Sequence, residues 1–168
     1  MTSAPAVTLR PATPRDWPLL RSWLTRPDIE AWWGPHSATE PGIRIAMQGG
    51  GLCRIVEIDG EPVGYAQAVD AMLWGTALPD GLPAGTWDID VFIAAEQHRG
   101  QGVGSAALTA LVDEVFATTL AIAVSIFVAV RNERAVRAYE KAGFRWVAIA
   151  NDPAQGPEWV MLRERSAR

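Results

Sequence analysis

The sequence predicts an α/β fold in which strands and helices interleave around a β-hairpin, and three observations carry that prediction. First, Leu52–Ile58 and Val63–Val69 are β-rich runs flanking Asp59-Gly60, a dipeptide that tolerates the positive backbone dihedrals of a tight hairpin turn. Second, the apolar run Trp87–Ile93 passes through a glycine-rich segment into a helical pattern from Ser105 to about Thr118, with Leu108, Leu111, Val112 and Val115 on one packing face. Third, Ala121–Val130 has the continuous apolar character of a central strand buried on both faces, and Asn132 follows where it can cap a helix. A length of 168 residues suits one domain over residues 1–168, with residues 1–6 a flexible tail.

The remaining elements follow in order. Val7–Arg10 reads as a first strand. Thr13-Pro14-Arg15-Asp16 reads as a helix start, with Thr13 the cap and Asp16 the third helical residue. Trp17, Leu20 and Leu24 give that helix an apolar face, and Pro27 limits it. A second short helix holds Ile29, Trp32 and Trp33 before Gly34-Pro35. His36–Gly51 reads as irregular or weakly helical and receives no firm assignment. Leu78–Gly85, with two prolines and two glycines, reads as a loop. The helix from Asn132 runs to about Ala142 and ends at Gly143; Phe144–Ile149 and Glu158–Arg163 read as the last strands.

Composition narrows the function classes. Fifteen basic against 19 acidic side chains give a net charge of −4, which argues against a nucleic-acid binder and is compatible with a small cationic partner. A lone cysteine permits no internal disulfide, and two histidines leave little for a zinc site, so no metal is expected. The apolar-rich stretch Leu120–Val130 is far short of the roughly 20 residues of a membrane-spanning helix. The N-terminal segment lacks the pattern of a signal peptide, so a cytoplasmic protein without a membrane or nucleic-acid partner is expected. Cys53 is read as a small buried strand residue, and His36 and His98 as surface residues rather than bases. Among the eight tryptophans, Trp32, Trp33 and Trp74 fall in loop-like surroundings that suit a pocket wall.

Arg99-Gly100-Gln101-Gly102-Val103-Gly104 lies between a strand and a helix. Glycines there let a ligand approach the backbone, and the positive end of the following helix favours a phosphate or pyrophosphate. No lysine follows the glycines, which excludes a nucleoside-triphosphate loop. The next strand ends in Val128-Ala129-Val130-Arg131 without an acid, which argues against a dinucleotide fingerprint.

Gln97–Gly104 resembles the acetyl-coenzyme A pyrophosphate loop of the GCN5-related N-acetyltransferases, the GNAT superfamily, with Arg99, Gly102 and Gly104 filling its pattern. Asn132–Phe144 resembles the second signature of that superfamily. The resemblance implies a central mixed, twisted β-sheet flanked by helices, and acetyl-CoA as cofactor. It further implies backbone contacts from Val91, Phe92 and Ile93 to the pantetheine arm. The amides of Gln101–Ser105, with Arg99 and Gly100, would then hold the pyrophosphate. Asn132 would lie beside the coenzyme, although capping alone explains it, and Tyr139 would face the departing thiolate as general acid.

Trp32-Trp33-Gly34, Gly60–Gln67 and Gly85–Asp90 are similar to segments of aminoglycoside 6′-N-acetyltransferases, a likeness running from Trp32 to Arg163. It implies Asp90 as base or amine anchor. Around it, Trp32, Trp33, Tyr65, Gln67, Trp74, Asp88, Phe127 and Asp152 would wall the acceptor. Asp88 is two residues from Asp90 and shares its strand face; it is either a second carboxylate at the site or a solvated strand-edge residue. The sequence departs from those enzymes at Phe127, where they carry an acid, and Asp70, Asp80 or Asp152 would have to compensate. The expected reaction is direct acetyl transfer to the 6′-amine of an aminoglycoside, in a monomer or homodimer. The segment Glu61–Gln67 also resembles acyltransferases of lysine-like amines in siderophore synthesis, and a non-catalytic coenzyme A-binding module is the remaining alternative.

Overall fold

The structure, a computed structural model, describes residues 6–75, 78–153 and 155–166, and the side chain of Trp74 is not among what is described. Most of the expected N-terminal tail therefore lies outside the described residues. β1 (Val7–Pro11) leads through a 3-10 turn at Pro14–Asp16 into α1 (Trp17–Leu24), α2 (Pro27–Trp33) and α3 (His36–Gln48). The hairpin β2 (Leu52–Ile58) and β3 (Glu61–Asp70) is followed by β4 (Thr86–Ile93), α4 (Val103–Thr118), β5 (Ala123–Ala129) and α5 (Glu133–Lys141). β6 (Arg145–Asp152) and β7 (Gly156–Glu164) form the last hairpin.

Among the described residues, seven strands form one sheet in the order β1-β2-β3-β4-β5-β7-β6. β4 and β5 are parallel and every other neighbouring pair is antiparallel, which makes the sheet mixed as expected. Helices α1–α3 cover one face, where Leu20, Trp23, Leu24, Ile29, Ile43 and Ala46 pack with Ile55, Tyr65 and Phe92. On the other face α4 buries Ala107, Leu108, Leu111, Val112 and Val115 against Ala66, Ile89, Val124 and Ile126. Ala135, Val136 and Tyr139 of α5 pack at the margin of that second cluster.

Local chemistry explains the N-terminal elements. The Asp16 carboxylate accepts from the Thr13 N–H at 2.8 Å, closing one half of the expected capping box. Arg10 then bridges Asp16 at 2.8 Å and Glu57 at 2.7 Å, tying β1, the first turn and β2 together. That guanidinium holds the Asp16 carboxyl below its ordinary range.

Two segments differ from the sequence reading. His36–Gln48, left unassigned above, is a helix of 13 residues despite Pro41 inside it and the absence of a side-chain cap. Packing overrides weak propensity here: Ile43 and Ala46 are buried, and Glu40 pairs with Arg21 at 2.7 Å and Arg44 at 2.8 Å. The central strand is shorter than Ala121–Val130, because Leu120 and Ile122 are exposed and belong to the connection before it.

The feature that matters for function is an interruption of the sheet. β4 and β5 pair only at Thr86–Ala123, Trp87–Val124 and Asp88–Ser125. β3 stays paired with β4 as far as Ile93, and β7 with β5 as far as Ala129, so the two halves splay beyond Asp88 and Ser125. Gly64 sits opposite Ile93 at the end of the β3–β4 pairing, where an added Cβ would collide with the Phe92 carbonyl oxygen. That atom is backbone in the rim of the splay and cannot step aside cheaply. Gly64→Ala should therefore cost about 1–3 kcal/mol in urea unfolding; a loss under about 0.5 kcal/mol would contradict this account of the rim.

Candidate active site

A cleft of about 1040 Å³ occupies the splay. One end is built from the glycine loop. Gly100 and Gly102 have φ of 76° and 81°, a conformation that favours glycine, and Gly102 is the N-terminal cap residue of α4 with no side chain capping the helix. The first-turn N–H groups at Val103, Gly104 and Ser105 thus lack intrahelical acceptors and remain available as donors at the positive end of the helix. Gly100, Gly102, Gly104 and Ser105 line the cleft. The Val103 side chain is buried in the core, leaving its backbone as the part that can serve a ligand. Gln101 is exposed, with its side chain donating to the Gln97 carbonyl at 2.7 Å.

Arg99 lines the cleft and is anchored there by its own hydrogen bonds. Its Nε donates to the Ile93 carbonyl at 2.8 Å and its Nη2 to Asp28 at 2.7 Å, so the guanidinium fastens the loop to β4 and α2. Asp28 also takes Arg26 at 2.7 Å, and these two arginines bring its carboxyl down to about 2. Further positive charge comes from α5, which the sequence reading did not single out, where Arg137 also pairs with Glu133 at 3.3 Å. Arg134 lies against Gly100, and Arg137 and Lys141 also line the cleft. Asn132 lines it too, while its side chain accepts from the Ala135 N–H at 3.3 Å as a helix cap.

The middle of the cleft is β4. The Ala94 N–H bonds to Val63 on the β3 side, at 2.8 Å. Strand alternation then points the backbone of Phe92 and Asp90 toward β3, and turns that of Val91 and Ile93 toward the gap. The Ile93 carbonyl is taken by Arg99, and the backbone of Val91 is left facing the cleft. The Phe92 side chain is buried edge-on against Trp33, with ring centroids 4.9 Å apart.

The other end is acidic. Asp88 and Asp90 line the cleft from β4, with Glu158 from β7 and Asp152 from β6. Asp88 is no solvated edge residue: it lies at the last β4–β5 pair, accepts from the Ser125 hydroxyl at 3.1 Å, and has its carboxyl raised by burial to about 7. Burial, then Asp88, then Glu158 push Asp90 well above the ordinary carboxylate range. Tyr139 lines the cleft, and burial together with Asp90 raises its hydroxyl.

Trp32, Trp33, Gln67 and Phe127 complete the wall. Tyr65 does not join them. It is fully buried beneath Trp33 and Phe92 and donates its hydroxyl to Gln67 at 3.0 Å, so it supports a wall residue rather than touching the cleft. Asp70 is turned to the Met72 N–H at 2.9 Å, and neither it nor Asp80 lines the cleft. Cys53 is buried, as read from its strand. Glu158 was missed because nothing in its own neighbourhood marks it; only the pairing of β7 with β5 brings it here.

The acid pair has a consequence for stability. Between the unfolded Asp value near 4 and the folded Asp88 value of about 7, the native state binds more protons than the unfolded chain. Stability should therefore fall as pH rises through that window. Asp88→Asn, which keeps the acceptor for Ser125, should flatten the decline in Tm between pH 5 and pH 8; an equally steep decline would show that Asp88 is not its source.

The comparisons accord with this geometry. The acetyltransferase (GNAT) domain family matches residues 12–151. Aminoglycoside N(6′)-acetyltransferase type 1 of Klebsiella pneumoniae is 32% identical over 96% of this chain and 85% of its own length, and the Serratia marcescens protein of that name matches equally. Among solved structures, aminoglycoside acetyltransferase AAC(6′)-Ib in complex with coenzyme A superposes with a TM-score of 0.80 at 30% identity, covering 95% of each chain. Its complex with coenzyme A and kanamycin gives 0.79 at the same identity and coverage. With its splayed mixed sheet, glycine loop and matching relatives, this chain belongs to the GNAT acetyltransferase family.

Proposed function

We propose that the protein transfers the acetyl group of acetyl-CoA to the 6′-amine of an aminoglycoside, with both substrates held in the cleft at once. The observation that carries this reading is the division of the cleft by charge. Uncapped helix N–H groups and Arg134 lie at one end, and Asp88, Asp90, Asp152 and Glu158 at the other, with Tyr139 also lining the cleft. An anionic donor and a cationic acceptor each find an opposite charge, and relatives named for this reaction, with structures holding coenzyme A and kanamycin, support the assignment.

The donor end fits a coenzyme pyrophosphate: the N–H groups at Val103–Ser105 are open, and nothing lies within 4 Å of a Cβ built on Gly102. Bound there, acetyl-CoA supplies an acyl group already activated as a thioester. The Val91 backbone N–H donates to the acetyl carbonyl, where negative charge develops. Asp90 accepts the proton that an ammonium must lose before its nitrogen has a lone pair for attack, and its raised proton affinity makes it a better base than an ordinary carboxylate. Tyr139 gives its hydroxyl proton to the sulfur as the carbon–sulfur bond breaks, and the proton that the acylated nitrogen then sheds to become an amide restores the tyrosine hydroxyl. No covalent enzyme intermediate is required, since holding the two substrates together supplies much of the rate.

A thiol-release assay with acetyl-CoA against kanamycin, ribostamycin, polyamines and lysine derivatives tests the acceptor class, and the expected result is release with an aminoglycoside bearing a 6′-amine. Because Asp90 accepts only when ionised and its proton affinity is raised, kcat should rise with pH beyond the range in which an ordinary carboxylate has already ionised. Asp90→Asn should lower kcat by about 10²–10⁴-fold, and Tyr139→Phe by at least about tenfold. Undiminished release in both variants would remove these residues from the mechanism while leaving the cofactor assignment intact.

A further inference from the structure

Phe127, on β5, presents an aromatic ring to the cleft. In the antiparallel register of β5 with β7, Phe127 faces Val160 and Ala129 faces Glu158. Residues opposite one another in such a pair share a sheet face, so Phe127 and Glu158 sit diagonally on the cleft face, at a separation of about 7–8 Å in ordinary geometry. Asp88 belongs to the same face through its partner Ser125, which precedes Phe127 by two residues on β5.

Glu158 is also unusually uncovered by its neighbours. Its partner on β5 is Ala129 and its partner on β6 is Ala150, so a methyl group stands on either side and neither reaches over the carboxylate. No arginine, lysine or histidine among the described residues forms an ion pair or hydrogen bond with it. Arg131, at the start of the β5–α5 connection, is engaged elsewhere: it stacks over Trp32 at 4.7 Å and donates to Gln155 at 3.1 Å. The Glu158 carboxyl acts electrostatically on Asp88 and Asp90, and burial together with Asp152 raises it above the ordinary range. A half-buried carboxylate in a cleft with no cation of its own is costly to the free protein, and a cationic ligand offsets that cost.

We propose that Glu158, from β7, is an acceptor-binding carboxylate that holds a second ammonium of a polycationic acceptor while Asp90 faces the reacting amine. Glu158 is then a specificity residue, not a catalytic one. This inference rests on the aminoglycoside reading above. It also gives Phe127 a role, as the apolar surface against which the sugar ring lies between two charged anchors.

The test is calorimetric titration of kanamycin into the wild type, Glu158→Gln, and Glu158→Gln combined with Phe127→Asp, together with steady-state kinetics. Losing one charge-assisted contact should raise Kd by about 10–100-fold in the single variant. KM should rise by a larger factor than kcat falls. Placing a carboxylate at position 127, diagonal to position 158 on the same face, should recover a substantial part of the lost affinity, which a variant weakened by misfolding would not do. A Kd within twofold of wild type in Glu158→Gln, or a loss that Phe127→Asp leaves untouched, would overturn the proposal. If the wild type neither binds nor acetylates kanamycin and ribostamycin, the aminoglycoside reading itself fails and takes this inference with it.

Discussion

The arrangement of the whole site depends on how briefly β4 and β5 pair. A parallel pair that continued to the ends of both strands would satisfy the backbone of Val91 with β5 and leave no room between Asp90 and Tyr139. Pairing stops at Asp88 and Ser125, while β3 and β7 keep hold of the outer edges of the two strands. The backbone groups released along β4 then become binding groups, and the wedge between the strands becomes the cleft. Gly64 and Arg99 serve this constraint from opposite sides: one lets β3 approach the end of β4 closely, and the other takes the freed Ile93 carbonyl.

The two ends of the cleft solve different electrostatic problems. At the donor end the loop offers mainly backbone, whose N–H groups have fixed directions and little entropy left to lose. Arg99, which lines the cleft, is also clamped to Asp28, so the loop is stiffened by one of its own cations. At the acceptor end the carboxylates are crowded enough to raise one another's proton affinity, a cost to folding that suits a site meant to receive positive charge.

What could be read from the sequence was what is encoded locally. The glycine loop, the Asn132 cap and the Asp59-Gly60 turn each place an unusual demand on a few adjacent residues, and composition records it. α3 was illegible because its own signals oppose it: Pro41 and Gly42 lower helix propensity, and only the burial of Ile43 and Ala46 against distant partners outweighs them. Strand alternation identified a shared face for Asp88 and Asp90 but not depth, which is why Asp88 could be read as an edge residue and Tyr65 as a wall residue. Depth comes from what packs above, and for Tyr65 that is Trp33. Glu158 was out of reach for another reason, since its place depends on the register between strands separated by α5 and β6.

The acid wall also bears on how a turnover ends. An amine enters as an ammonium, and the acetylated product leaves as a neutral amide at that position, so the product carries one positive charge fewer than the substrate. In the proposed reaction Asp90 takes up the ammonium's proton before attack, so that Asp88 and Asp90 face a neutral amide and no cation once the product has formed. Groups that hold unreacted ammoniums keep their grip in both states. On that mechanism the wall would tell spent acceptor from fresh acceptor by charge alone, and product release would draw on the same burial that raises the proton affinity of Asp90.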